Sequence, residues 1–132
     1  MNRYAKYGTA FVLAHGLVGT VHGLAHTHMG IDLTFLQKLF IISVITLAPL
    51  LAALLLWTRL RKAGAVLLLL SMLGSLIFGV VNHFLITSPD HVLHLPASEW
   101  RLTFQATAVL LVITEGLGCW IAASALRAAR RS

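Results

Sequence analysis

The sequence predicts an all-α fold. It reads as a four-helix transmembrane bundle with both termini in the cytoplasm and a short outer lid helix between the third and fourth helices. Three observations carry this. Of 132 residues, 58% are hydrophobic and only 11% charged, and mean hydropathy is +0.88, a composition that belongs to membrane proteins. The apolar residues gather in four runs, each near the roughly 20 residues that cross hydrocarbon. Lys and Arg fall almost entirely between the runs, the placement that orients helices in a bilayer.

The first span, about residues 7–29, lies within the stretch GTAFVLAHGLVGTVHGLAHTHMG from Gly8 to Gly30. It follows a short basic start, as a signal peptide would. It is too long and too rich in histidine for one, however, and lacks a small-residue cleavage site, so it is read as a retained helix. At about 100° per residue, His15, His22 and His26 fall on one helical face, with Gly16, Gly19 and Gly23 beside them. Imidazoles are costly in hydrocarbon and normally face a protein interior or wet cavity. The glycines would let a neighbouring helix or a flat ligand approach.

The second span, about 36–57, is broken by Pro49, which predicts a kink. The third, about 65–86, carries Ser71, Ser75, Gly79, Asn82 and His83. The loop TSPDHVLHLPASEW after it predicts the lid helix, with Ser88 as cap and Pro89 at the first position. Such a helix would set His91 and His94 on one face, and Pro96 would end it. Ser98 is a cap for the fourth span, about 101–127. No soluble domain or long linker is left over, so 1–132 reads as one integral membrane domain.

Placing the N-terminus in the cytoplasm sets Arg3, Lys6, Arg59, Arg61, Lys62, Arg127, Arg130 and Arg131 inside, against Lys38 and Arg101 outside. Tyr4, Tyr7, Trp57 and Trp100 then stand at the interfaces. The expected location is a bacterial or archaeal cytoplasmic membrane. The expected partners are the lipid bilayer and either further copies of the chain or a membrane complex. The formal charge of +6 is spent on topology, and nothing in its placement suggests nucleic acid. Phosphate-binding glycine loops and nucleophile elbows are absent from the sequence. The lone Cys119 excludes an intrachain disulfide and reads as a packing residue.

A rise of about 1.5 Å per residue puts His26 and His83 about 5 Å below the outer boundary, His22 about 10 Å down, and His15 and Glu115 near 20 Å. Six of the seven histidines therefore belong to the outer half. His22, His26 and His83, with His91 or His94 from the lid, are candidate ligands for copper, zinc or iron. Asn82 and Asp90 are candidates to orient the rings, and Met29 offers a thioether. Glu115 is the one acidic residue inside a span. With His15 it forms a deeper pair, a candidate proton acceptor or second cation position. It shares a face with Ala108, Cys119 and Ala122.

Two other readings fit the same residues. A small b-type cytochrome would use His22 or His26 opposite His83 as axial ligands. Gly19, Gly23 and Gly79 would flank the haem, and Arg101 or Lys38 would hold its propionates. An accessory membrane subunit would use the histidines only to pack helices. The excess of imidazoles, spread in depth yet close along one helix, favours an ion over haem.

Overall fold

The computed structural model describes residues 2–130; Met1, Ser132 and the predicted inner-side Arg131 lie outside the described residues. Four long helices run α1 (Asn2–His28), α2 (Phe35–Leu56), α3 (Arg61–Leu85) and α4 (Arg101–Arg130), and the described residues contain no strand. All four are long and apolar enough to cross a membrane. Successive helices are antiparallel. Trp57 Nε1 donates to Thr9 Oγ1 at 2.8 Å across α1–α2, and Gln37 Nε2 donates to Asn82 Oδ1 at 3.2 Å across α2–α3. α1 and α4 meet antiparallel through His15–Glu115 and His22–Thr107. One end of the bundle therefore holds both termini, and the other holds the 28–35 and 85–101 connections.

Local chemistry explains where the helices stop. α1 closes in a Schellman turn: Ile31 N–H reaches the His26 carbonyl at 3.1 Å, and Gly30 N–H reaches that of Thr27 at 3.2 Å. Gly30 adopts φ 64°, which a residue with a Cβ rarely takes. Thr34 and Gln37 form a reciprocal capping box that starts α2. Ser98 Oγ accepts from Trp100 N–H at 3.1 Å just ahead of α4, as its capping role predicts. The loop before it carries turns rather than the expected lid helix. His91 N–H bonds the Ser88 carbonyl, and His94 N–H bonds that of His91. Ser88 Oγ holds Asp90 N–H at 3.2 Å, so the predicted cap closes a turn instead.

Two π-helical stretches interrupt the long helices, Ile41–Leu47 in α2 and Val81–Leu85 in α3. Pro49, just after the first, lacks the N–H that an α-helical ladder needs, and the wider turn precedes it. The second contains His83. Such turns change which way a side chain faces without ending the helix.

Packing divides the bundle in two. At the terminal end, a core of Ala5, Val12, Ala52, Leu56, Ala65, Leu68, Met72, Ala122 and Ala125 draws on all four helices. Cys119 packs against it, as a small core residue would. Backbones come close there: a Cβ on Gly64 would stand 2.9 Å from Leu56 N and 3.0 Å from Ala52 O. At the loop end, a smaller core of Ala25, Met29, Ile31, Leu95 and Phe104 closes over the top. Many leucines and isoleucines face outward on every helix, among them Leu17, Leu36, Leu54, Leu70, Ile77 and Leu110. That apolar surface exceeds what a monomer in water normally shows. Among the described residues, Arg3, Lys6, Arg59, Arg61, Lys62, Arg127 and Arg130 sit at the terminal end, and only Lys38 and Arg101 at the other.

Candidate metal centre

Below the upper apolar core, α1 and α3 bring three buried imidazoles together. His22 and His26 lie one turn apart on α1, and His83 faces them from the π turn of α3. Ring centroids are 4.9 Å apart for His22–His26, 4.9 Å for His22–His83 and 5.9 Å for His26–His83. One ring nitrogen from each lies within 4.8 Å of the others, an arrangement that could hold a metal ion. Phe104 stacks at an angle over the group from α4, 4.5 Å from His22 and 4.8 Å from His26 between centroids.

The hydrogen bonds assign a proton to Nδ1 of two of the rings. His83 Nδ1 lies 3.1 Å from the Asp90 carbonyl oxygen, which can only accept, so the ring proton sits on Nδ1. His22 Nδ1 lies 2.8 Å from Thr107 Oγ1. That hydroxyl spends its single proton on the Thr103 carbonyl at 2.7 Å, so it accepts from His22 Nδ1–H. Both Nε2 atoms then carry lone pairs, and they face each other at 3.2 Å. Two such lone pairs repel unless a cation, a shared proton or a metal ion, lies between or beside them. Two metal–nitrogen bonds of about 2.0–2.1 Å at a tetrahedral angle hold their nitrogens about 3.3 Å apart.

His26 completes the pattern. Its Nε2 is 3.1 Å from Asp90 Oδ1, and its Nδ1 is buried with no hydrogen-bond partner. Asp90 Oδ2 stands 3.4 Å from His83 Nδ1, and neither carboxylate oxygen has an aligned donor. This buried carboxylate therefore lies beside two of the three rings, at ion-pair distance and without an aligned hydrogen bond to either. The Val92 N–H bond to the His83 carbonyl, 3.0 Å, anchors the loop that carries it.

The other candidates are placed differently. His91 Nε2 donates to the Phe84 carbonyl at 3.2 Å, while its Nδ1 accepts from Leu93 N–H and faces His94 Nδ1 at 3.0 Å. With these partners His91 is satisfied within the loop, and His94 is exposed; neither joins the three-histidine group. Without a lid helix, no common face turns this pair inward. His28 stacks on Trp100, centroids 4.3 Å apart and planes 2° from parallel. Met29 packs in the upper apolar core, so its sulfur serves burial. Asn82 bonds Gln37 and the Phe78 carbonyl rather than any ring. Ser71 and Ser75 bond carbonyls of their own helix.

A cavity of about 350 Å³ opens beside the imidazoles. Gly19, Gly23 and Gly79 line it, as do Lys38 and Asp32 at the loop end, whereas Arg101 does not. No neighbouring helix fills the space over Gly19 or Gly23: a Cβ there would meet nothing within 4 Å. The cavity reaches Glu115, whose Oε1 lies 3.2 Å from His15 Nε2 in a buried pair. The deep pair thus forms at one level, as counting residues along the helices predicts. A haem plane has no slot between His22 and His83, because axial nitrogens on opposite faces of an iron stand about 4 Å apart with the macrocycle between them.

Sequence reading missed Thr107, which sets the His22 tautomer, and Phe104, which roofs the group. Phe104 was findable, since it lies eleven residues, about three turns, before Glu115 and so on the same face. Thr107 lies about 80° off that face and carries no such signal. Compared with protein-family models, with curated proteins and with solved structures, the chain matches none, and the geometry of the site carries the functional argument.

Proposed function

We propose that the protein is an integral membrane protein that holds a transition-metal ion on His22, His26 and His83 in the outer half of its helix bundle. The Nε2 atoms of His22 and His83, facing each other at 3.2 Å with a His26 nitrogen close by, carry this reading. Each is backed by a fixed partner, Thr107 for one and the Asp90 carbonyl for the other. Three imidazoles leave one position of a four-coordinate ion free, the ligand count of a reactive site rather than a closed structural one. That position faces a cavity, so the ion serves metal-dependent chemistry or metal capture at the outer face. Copper, zinc and iron all suit imidazole. The segregation of basic residues supports cytoplasmic termini.

Elemental analysis tests the reading on full-length protein purified gently in detergent, beside a variant carrying His22→Ala and His83→Ala. The expected result is about one equivalent of Cu, Zn or Fe in the native chain and none in the variant. Native protein without stoichiometric metal, including after reloading, contradicts it.

A further inference from the structure

A second hollow lies at the terminal end, a groove of about 600 Å³ on the outside of the bundle between α1 and α4. Arg3, Tyr7, Ala10 and Ala14 line one side at helical spacing, with Tyr4 and Phe11 beside them. Trp120, Ile121 and Ser124 line the other, and Arg127 Nη2 donates to Ser124 Oγ at 3.1 Å. The two arginines stand at one level. Arg3 is twelve residues before His15 and Arg127 twelve after Glu115, the pair that sets the register of these antiparallel helices. No carboxylate side chain answers their charge. Of the four in the chain, Asp32, Asp90 and Glu99 belong to the loop end and Glu115 to the buried pair. Arg3 instead donates to the Tyr4 hydroxyl at 3.4 Å and lies over its ring, and Arg127 donates to a serine, so both partners are neutral.

We propose that this groove holds one anionic phospholipid of the cytoplasmic leaflet, its phosphate on Arg3 and Arg127 and an acyl chain between α1 and α4. This rests on the bundle spanning a bilayer and is independent of the metal. Each guanidinium keeps further N–H donors in a planar fork that suits a phosphate. Away from the arginines the lining turns aromatic and aliphatic, and Ala10 and Ala14 leave a trough between the exposed rings of Tyr7 and Trp120. Arg3 to Ala14 covers about 16 Å of helix, close to half of a hydrocarbon core roughly 30 Å thick, so the trough matches one leaflet. A free phosphate ion would use the arginines alone and leave that trough bare. A zwitterionic lipid would bring an ammonium group among basic residues, with no carboxylate side chain at this end to receive it.

Native mass spectrometry of the full-length protein in detergent, titrated with lipid, counts the bound molecules. Phosphatidylglycerol is compared with phosphatidylethanolamine carrying the same acyl chains. The expected result is one phosphatidylglycerol held several-fold more tightly than the ethanolamine lipid. Arg3→Gln and Arg127→Gln each weaken phosphatidylglycerol about fivefold, the factor that one basic contact to an anionic lipid supplies. Ala14→Leu narrows the trough and weakens both lipids, and millimolar inorganic phosphate displaces neither. Equal retention of the two lipids, or phosphatidylglycerol binding unchanged in the Arg3→Gln, Arg127→Gln double variant, overturns the proposal. Displacement by inorganic phosphate also overturns it, since the arginines then hold a free anion. Metal content measured on the same samples is a separate result, because neither site needs the other.

Discussion

The two ends of the bundle use the same residue types for opposite results. Near the termini, Gly64 and Gly118 disappear into contacts: a Cβ on either would come within 2.9 Å of a neighbouring helix. Nearer the loops, Gly19 and Gly23 meet nothing within 4 Å. Small residues permit close packing but do not produce it, and what faces them decides. Opposite Gly64 is the even backbone of α2 after Pro49. Opposite Gly19 and Gly23 is the π-helical stretch Ile41–Leu47, which contributes Ile41 and Ile45 to a cavity wall. The terminal end packs an apolar core drawn from all four helices, so it can hold them together while the loop end stays open around polar groups. Burial there is offset by specific partners: His22 and His83 each have one ring nitrogen hydrogen-bonded to the protein, and His26 has Asp90 beside it.

This contrast predicts that substitutions at the two ends separate cleanly, and the largest effect belongs to the loop end. Asp90→Asn removes the charge behind His26 and His83 and lowers metal affinity about 10- to 100-fold, as loss of an outer partner does, with thermal stability little changed. Competition with a chelator of known strength measures it. Thr107→Val, which removes the acceptor for His22 Nδ1–H, acts in the same direction at the low end of that range. Equal affinity in both variants would mean that the rings are not tuned by these partners.

At the terminal end, Gly64→Val forces side-chain carbons against Leu56 N and Ala52 O. It costs about 1–3 kcal/mol of overpacking, read as a lower unfolding midpoint in detergent, and leaves metal content intact. Metal lost in proportion to stability would show that the two ends are not independent. The smallest effect is expected at His91 and His94. Replacing both with Ala changes metal content not at all and stability by about 0.5–1.5 kcal/mol, the worth of the hydrogen bonds within the loop. A large fall in metal affinity would return these histidines to the site.

Much of this architecture is legible in the sequence because the bilayer imposes simple rules. Four apolar runs give four helices, and the basic residues collect at one end. Depth counted at a fixed rise pairs His15 with Glu115 and brings His22, His26 and His83 near one level. The rest depends on backbone detail that periodicity does not carry. The π turn at Val81–Leu85 alters the facing of His83 relative to an ideal helix. The segment after Ser88 has caps and a proline suited to a helix, yet Asp90 is drawn inward to His26 and His83, and the chain turns around it. Once Asp90 is buried, His91 and His94 are spent on the loop itself.

X-ray absorption at the metal edge of the loaded protein tests the central claim most directly. Three imidazole nitrogens at about 2.0–2.1 Å, with one further light-atom ligand, are expected, and His22→Ala should remove one imidazole from the shell. A shell of oxygen ligands only, or an imidazole count unchanged by His22→Ala, would contradict the assignment of the ion to these three histidines.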